Sequence, residues 1–294
     1  MKSSVDVAGC EASERLSGGP SPEWTPTASR SVSNTSGAAF STPIRTKRDH
    51  LLRCGLPGLA LRRPELYGKG TLRLSVVIPA LNEEASLGGL LERLRHAPGV
   101  REVVVSDGGS TDGTSALVRP PHRLVRAEPG RGQQLGTGAA DTSGDVLLFL
   151  HADVMPPPDV AAQISGALSS GNVGGNFRLR YPDGGPLGRW LEWLAPVYRR
   201  LARYYGDSGI FVRRDVYDTC GGFPWVPIME DVIFVRRMES AGRTAYLPGP
   251  MVSASRRWRG REFRTLLLWG AMQTAFALGV TPWRLARLYK ATGK

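Results

Sequence analysis

The stretch that most constrains the fold is residues 145–153, D-V-L-L-F-L-H-A-D. Its five consecutive apolar residues have strand length and no helical periodicity, which is typical of a strand buried on both faces of a parallel sheet. His151 and Asp153 follow at once, and residues two apart in an extended chain share a face. Open α/β sheets bind ligands at the carboxyl ends of their strands. The stretch therefore predicts a metal or proton-transfer site, although a polar turn after a strand is the simpler alternative.

Three earlier strands are predicted to end at the same edge. Residues 74–79 and 101–106 are short β-branched runs, each followed by a polar loop and a helix, and residues 122–126 precede a third such loop. Strands that alternate with helices form parallel sheets with right-handed crossovers. We therefore expect an α/β fold with a mostly parallel, nucleotide-binding sheet flanked by helices, and with four strand ends facing one crevice.

The residues of this crevice suit a nucleotide. Those that follow the first two strands are Pro79, Ala80, Asn82, Glu83 and Asp107. Their amides and carboxylates can hydrogen-bond a base and a ribose, while Arg131 offers a charge for phosphate. Asp153 could hold a divalent cation on a diphosphate, since Mg²⁺ and similar ions take few protein ligands and share phosphate oxygens.

Two other patterns in the sequence compete with the hypothesis of a nucleotide site. Residues 130–136 resemble a dinucleotide fingerprint, but the third glycine is one residue late and the stretch does not open directly off the first strand. Glu230 and Asp231 begin a predicted helix, where acids also serve to cap free N–H groups and to oppose the helix dipole. That structural explanation is the simpler one for these two acids taken alone.

A long helix is predicted over residues 186–205, with arginines between its apolar residues. Trp190, Trp193, Leu194, Val197 and Leu201 lie along it. We expect these side chains to belong to the core, with a platform for an acceptor as the alternative.

Five motifs in order carry a family resemblance. They are N-E after the first strand, D-G-G-S-T-D-G-T at residues 107–114, L-H-A-D at 150–153, G-D-x-x-I-F-V-R-R at 206–214 and M-E-D at 229–231, with S-A-S-R-R-W at 253–258 beyond them. In this order and spacing the chain resembles family 2 glycosyltransferases of the GT-A fold, from about residue 72 to residue 290.

The resemblance implies a role for each matching residue. Pro79, Ala80, Asn82, Glu83 and Asp107 would hold the nucleoside, with Asp107 on the base, and Arg131 and Arg257 would lie near the phosphates. Asp153 would contact a metal, Mg or Mn, with His151 where the family more commonly has an acid. Asp231 would be the general base, Glu230 would position the acceptor, and Asp207 and Ser208 would contact substrate.

The expected reaction moves a sugar from a nucleoside diphosphate to an acceptor hydroxyl. One carboxylate removes the hydroxyl proton, while metal and arginine neutralise the departing diphosphate. A single attack opposite the leaving group would invert the anomeric centre. A degenerate nucleotide-sugar-binding protein and a nucleotidyltransferase are the alternatives. Partners would be the nucleotide sugar and an unidentified acceptor, without nucleic acid, since the basic tail has no recognisable binding module.

Residues 1–70 are predicted to be a disordered leader. Residues 1–50 hold ten Ser and five Thr and have no apolar periodicity. Four early acids argue against an organelle transit peptide without excluding one, and a mis-assigned start would look the same. Three unpaired cysteines, Cys10, Cys54 and Cys220, favour a reducing compartment. We therefore expect a cytoplasmic protein.

The glycosyltransferase domain is predicted over residues 71–255 and a basic helical segment over 256–294. From residue 252 onward nine Lys or Arg stand against one acid, in a chain of net charge +12. The apolar run at residues 266–280 is too short and interrupted for a membrane span. The segment could complete the core, or lie peripherally on an anionic membrane at its inner face.

Overall fold

The structure, a computed structural model, describes residues 72–202, 204–255 and 260–292; the side chains of residues 290–292 lie outside that description. The predicted leader and Arg257 fall outside the described residues and stay predictions. The strands are β1 (Leu74–Ala80), β2 (Val100–Asp107), β3 (Arg123–Arg126), β4 (Val146–Phe149), β5 (Val154–Met155), β6 (Gly174–Arg180), β7 (Ile210–Arg213) and β8 (Thr244–Ser253).

The helices lie between the strands and at the carboxyl end. They are α1 (Glu84–Arg95), α2 (Thr114–Leu117), α3 (Arg131–Ala140), α4 (Val160–Ser169), α5 (Gly185–Arg200), α6 (Arg214–Thr219), α7 (Glu230–Ala241), α8 (Glu262–Ala277) and α9 (Pro282–Thr292), with a 3₁₀ turn at Gly206–Ser208. The predicted strands and helices are present within a few residues of their expected bounds. Acids Glu230 and Asp231 begin a helix, as the sequence indicated.

One mixed sheet of eight strands carries the fold in the order β3-β2-β1-β4-β7-β6-β8-β5. β3, β2, β1 and β4 are parallel, as predicted. β7 is antiparallel to both β4 and β6, and β8 runs parallel to β6. The carboxyl ends of β1, β2, β3 and β4 therefore share an edge, and the start of β7 joins them there.

β4 is buried on both faces, which explains its uninterrupted apolar sequence. Val146 and Leu148 pack in a cluster with the α1 leucines and with α4. Leu147 and Phe149 pack in a second cluster with α3, α6 and α7. Alternate side chains of one strand thus anchor two helical layers, and polar residues can begin only where the strand ends.

The aromatic residues of α5 are exposed, so the prediction that they form core is wrong. Trp193 is 71% exposed, and Trp190, Val197 and Leu201 are each about half exposed. The spacing is amphipathic, but the apolar stripe faces outward. Periodicity identifies an apolar face without identifying what covers it, and no described element covers this one.

The C-terminal segment forms α8 and α9, as expected of a helical segment. Met272, Leu285 and Ala286 are buried, whereas Phe263, Leu267, Leu278, Trp283 and Leu288 are more than half exposed. The segment therefore contributes only a few side chains to the core. Within the described part of the chain, no helix has both the length and the apolar content to cross a bilayer.

Replacing Phe149 tests the buried layer between the sheet and α7. Its ring lies 4.8 Å from that of Phe223, edge to face, and 6.3 Å from that of Phe234. We expect Phe149→Ala to lower the free energy of unfolding by about 3–5 kcal/mol, because the cavity cannot fully collapse. Urea denaturation measures this loss.

The matched control is Trp193→Ala on α5. Because that side chain is exposed, the free energy of unfolding should change by less than about 0.5 kcal/mol. Equal losses for the two variants would contradict the assignment of Phe149 to the core and of Trp193 to the surface.

Candidate functional site

The site lies at the carboxyl end of β4, beside the start of its antiparallel neighbour β7. Phe149, at the end of β4, pairs with Ile210, at the start of β7. His151 and Asp153 leave the sheet at this point, and the turn Gly206–Ser208 enters it there. Because β4 and β7 are antiparallel, the loop that leads into β7 lies next to the loop that follows β4. Residues about 55 positions apart in the sequence are therefore neighbours in the structure.

The loops after β1 and β2 form one half of the site. Asn82 adopts a positive φ of 55° and accepts a hydrogen bond from the Thr111 backbone N–H at 2.9 Å. The Asn82 N–H donates to the Ser110 hydroxyl at 2.9 Å, and the Glu83 N–H donates to the Thr114 hydroxyl at 2.8 Å. Asn82 and Glu83 therefore connect the loop after β1 to the loop after β2 by hydrogen bonds. Pro79 and Ala80 end β1 alongside them, paired with Ser106 and Asp107.

Asp107 is held by its own loop. Its Oδ1 accepts hydrogen bonds from the Ser110 N–H at 3.0 Å and the Ser110 hydroxyl at 2.5 Å, and its Oδ2 accepts from the Ser115 hydroxyl at 3.1 Å. The side chain is buried. Its predicted contact with the base stays a prediction, and in this structure the carboxylate orders the loop at the end of β2.

Gln134 of α3 joins the two strand ends and was missed by sequence reasoning. Its buried amide nitrogen donates to the carbonyl of Ala80 at 2.7 Å and to that of Ser106 at 3.1 Å. A glutamine inside a small-residue helix gives no sequence signal of this contact. The amide fixes the spacing of β1 and β2 at the edge where a nucleoside would bind.

Arg131 connects the first turn of α3 to the start of α7. Its Nε lies 2.6 Å from Oε1 of Glu230, whose side chain is only 1% exposed. Its Nη1 lies 3.4 Å from Nε2 of His151. A guanidinium only donates hydrogen bonds, so this histidine nitrogen acts as acceptor. Arg131 keeps a 41% exposed surface, which leaves part of its charge open to a ligand.

Glycines allow α3 and the turn before β7 to approach this group closely. A Cβ on Gly132 would clash with the carbonyl oxygen of Pro224, just before α7. A Cβ on Gly206 would clash with Nε2 of His151. Gly132 of the G-R-G segment therefore serves close packing of α3, a role that needs no bound dinucleotide.

Asp231, in the first turn of α7, lies beside the Gly206–Ser208 turn. Its Oδ2 accepts a hydrogen bond from the Gly206 N–H at 3.3 Å and its Oδ1 from the Val232 N–H at 2.8 Å. Met229, which precedes the helix, has a left-handed backbone with φ 66°. Such a conformation is uncommon in a residue that is not glycine and clusters at functional sites. Here the left-handed backbone of Met229 directs the next two residues, Glu230 and Asp231, into the site.

Asp207 and Tyr181 form a pair that the sequence did not reveal. The Tyr181 hydroxyl donates to Oδ2 of Asp207 at 2.7 Å, while Oδ1 is buried and has no hydrogen-bond partner in the described structure. Tyr181 follows β6, and its N–H donates to Glu192 of α5 at 2.6 Å. A buried acceptor without a donor is costly, so this oxygen is suited to a ligand hydroxyl.

The acids share one electrostatic environment. Burial raises the pKa of Asp207, and the charges of Asp231 and Asp153 raise it further, while Tyr181 and Arg131 oppose the shift. Asp207 and Asp231 therefore lie near Arg131, and Asp153 lies near Asp207. Burial lowers the pKa of the Arg131 guanidinium, but the surrounding carboxylates outweigh this effect and raise it.

A divalent cation fits part of this arrangement. Asp153 and the unpartnered oxygen of Asp207 are the hard donors that Mg²⁺ and Mn²⁺ take. In the ranges that the structure describes, no three His, Cys, Asp or Glu side chains converge closely enough to hold a metal alone. Nε2 of His151 faces Arg131, and the predicted metal contact of His151 stays a prediction. The donor set suits a cation shared with a diphosphate.

Ser208 is buried and its hydroxyl donates to the carbonyl of Tyr205 at 2.6 Å. The hydroxyl thereby closes the 3₁₀ turn that carries Asp207. Its predicted contact with substrate stays a prediction, whereas the structure gives it a part in holding Asp207.

Glu230 should make stability depend on pH. Burial raises its pKa to about 7, Asp231 acts in the same direction, and Arg131 opposes both. The folded protein then binds more protons than the unfolded chain between the ordinary glutamate pKa and about 7, so stability should fall as pH rises through this window. Glu230→Gln should reduce this pH-dependent loss in the free energy of unfolding by up to about 3 kcal/mol. Urea denaturation across that pH range measures the difference.

The control variant is Glu92→Gln, which removes an exposed carboxylate on α1. It should keep the slope of the parent protein. A Glu230→Gln variant with the parent slope would contradict the assignment of this titration to Glu230.

The chain belongs to glycosyl transferase family 2, whose family model matches residues 75–226, just over half of its length. The dolichol-phosphate mannosyltransferase of Pyrococcus furiosus is 30% identical over 52% of this chain and 45% of its own. The glucosyl-3-phosphoglycerate synthase of Mycolicibacterium smegmatis is 36% identical over 29% of this chain and 32% of its own. The matched part thus spans less than half the length of either relative. The predicted family is confirmed.

Solved structures of similar fold include S. aureus TarS. It matches with a TM-score of 0.51 and 18% identity, over 62% of this chain and 37% of its own. The glucosyl-3-phosphoglycerate synthase from Mycobacterium tuberculosis, in complex with Mn²⁺, uridine-diphosphate and glucosyl-3-phosphoglycerate, has a TM-score of 0.48 and 25% identity, over 67% of this chain and 77% of its own. The predicted α/β fold of GT-A type is confirmed.

Proposed function

We propose that the protein is a glycosyltransferase that moves a sugar from a nucleoside diphosphate to an acceptor hydroxyl with inversion. The observation that carries the proposal is the grouping of Asp153, Asp207 and Asp231 with Arg131 beside the carboxyl end of β4. A cation-binding acid, a proton acceptor and a fixed positive charge are the groups that such a transfer needs.

Asp231 is the proposed general base. Hydrogen bonds from two backbone N–H groups hold its carboxylate in place. A fixed carboxylate can accept the proton of a hydroxyl as that oxygen attacks, which contributes a factor of roughly 10² to 10⁴. No covalent intermediate is required when the acceptor attacks opposite the leaving group.

Glu230 and Arg131 act together in this proposal. Ion pairing keeps Arg131 beside the leaving diphosphate, where its exposed face can neutralise growing negative charge. Glu230, buried under that guanidinium, fixes its direction and lies next to Asp231, where it would help to position the acceptor. Arg257 would add a second positive charge near the phosphates.

The loops after β1 and β2 would hold the nucleoside. Asn82, Glu83 and Asp107 order these loops, and the strand-end carbonyls and amides of Pro79 and Ala80 border the same crevice. A divalent cation, Mg or Mn, would be held by Asp153 and would supply charge neutralisation at the diphosphate. Asp207, oriented by Tyr181, would accept a hydrogen bond from a hydroxyl of the transferred sugar.

We also propose a cytoplasmic location, with peripheral contact to a membrane through residues 256–294. The acceptor stays unidentified. Screening nucleoside diphosphate sugars by thermal shift, with and without Mn²⁺, identifies the donor for the experiments below; a failure of every member to raise the melting temperature would contradict the proposed donor class.

Asp231→Asn should keep donor binding and lose transfer. The amide preserves size but cannot take the acceptor proton, so turnover should fall by roughly 10² to 10⁴ with the donor dissociation constant unchanged. Product formation with the identified donor, alongside donor titration calorimetry, separates the two effects.

The control is Asp218→Asn, an exposed acid on α6. Its turnover should match that of the parent. Retained turnover in Asp231→Asn would remove Asp231 from the role of base.

Asp153→Ala should weaken donor binding mainly when Mg²⁺ or Mn²⁺ is present. The cation links Asp153 to the diphosphate, so in its absence the variant and the parent should bind the donor with similar affinity. Calorimetry with and without metal checks this, and Asp218→Ala serves as control. Equal donor affinity of the parent with and without metal would argue against metal assistance.

A further inference from the structure

The C-terminal helices expose a large apolar surface, which we call the C-terminal face. It comprises Phe263, Leu267 and Leu278 of α8 and its end, with Trp283 and Leu288 of α9. Phe263 and Leu278 are 75% and 77% exposed. Scattered single apolar residues are ordinary on a protein surface, but five large exposed apolar side chains within two consecutive helices indicate an interaction site.

Helical spacing sets these α8 side chains on one side. Phe263 and Leu267 are four residues apart and Leu278 lies eleven further, which returns to the same face. Met272, the buried residue of α8, faces the opposite way. The protein thus covers only one narrow side of an apolar helix.

Arginines accompany this face. Arg261 directly precedes α8 and Arg264 lies in its first turn, while Arg284 and Arg287 lie next to Trp283 and Leu288 on α9; all four arginines are exposed. Glu262 is the one acid in residues 260–292, and its carboxylate accepts a hydrogen bond from the Gly260 N–H at 2.8 Å. If this face of a second copy of the chain packed against it, the arginines of the two copies would repel each other. The surface therefore favours an anionic partner.

The length and composition of α8 favour the membrane interface. Its 16 residues extend about 24 Å, short of the roughly 30 Å hydrocarbon core. An apolar face bordered by arginine and tryptophan is typical of helices that lie in the headgroup region, with guanidinium groups directed to lipid phosphates.

The same helices pack beside the proposed active site. Gln273 of α8 donates to the Met229 sulfur at 3.6 Å, directly before Glu230 and Asp231. Arg236 of α7 lies over the Phe276 ring, 5.4 Å from its centroid. The surface that would contact a membrane therefore belongs to the same packed unit as the start of α7.

We propose that the C-terminal face docks the protein on an anionic lipid bilayer and holds the start of α7 close to that surface. The acceptor would then be an amphiphile whose hydroxyl or phosphate oxygen lies at the headgroup level. This second statement rests on the proposed function, whereas membrane docking does not.

Vesicle co-sedimentation of the full chain tests the docking. Vesicles of phosphatidylcholine with phosphatidylglycerol should bind the protein, vesicles of phosphatidylcholine alone should bind it much more weakly, and high salt should reduce the difference. Because each arginine near an anionic surface contributes a factor of roughly five, Arg284→Gln with Arg287→Gln should weaken binding about 25-fold. Phe263→Ser with Leu267→Ser and Leu278→Ser should weaken it at least tenfold.

Two matched variants make the result specific. Arg93→Gln with Arg101→Gln removes the same charge from exposed positions far along the chain, and Trp193→Ser with Val197→Ser removes exposed apolar side chains from α5. Both should bind vesicles like the parent, and circular dichroism should give all variants the parent's melting profile.

Three outcomes would overturn the proposal. They are a parent protein that does not bind anionic vesicles, apolar-face variants that bind like the parent, and a parent that forms dimers lost on substitution of this face. Because sedimentation requires no transfer activity, failure of the docking is distinguishable from failure of the proposed reaction.

Discussion

Antiparallel pairing of β7 with β4 is the constraint on which the site depends. In a sheet of parallel strands only, each carboxyl-terminal loop would meet other carboxyl-terminal loops. Here the start of β7 lies beside the end of β4, so the Gly206–Ser208 turn faces His151 and Asp231. Burial of β4 on both faces keeps this edge rigid, because alternate side chains anchor two separate clusters. A rigid strand end is what allows polar groups to be held with fixed direction.

Charge balance follows from that geometry. Asp207, Asp231 and the buried Glu230 converge around Arg131, and burial together with mutual repulsion raises the pKa values of Asp207 and Glu230. The Arg131 pair with Glu230 offsets part of this cost. Such an arrangement stores unfavourable electrostatic energy that a cation and a phosphorylated ligand can relieve, which is the physical basis for a ligand site here.

The C-terminal helices add a surface to this site. α8 contacts the residue before Glu230, and its outward face is apolar and bordered by arginines. Two long apolar surfaces, on α5 and on α8 with α9, therefore occur on a fold whose core is already complete. Periodicity suggested that the α5 residues would be core; they are exposed because both faces of the sheet are covered by other helices.

Sequence alone predicted the strands β1 to β4 with the helices between them, the buried character of β4 and the family, since these follow from local apolar patterns and from motifs in a fixed order. It also predicted Asp153, Asp207, Glu230 and Asp231 as residues of one site, and their roles there stay predictions. Only the tertiary structure decided that Tyr181 binds Asp207, that Gln134 joins two strand ends, and that Ser208 closes a turn. The first two contacts join segments distant in the chain, and a side chain's partner across such a distance depends on strand order and helix packing, which leave no local pattern in the sequence.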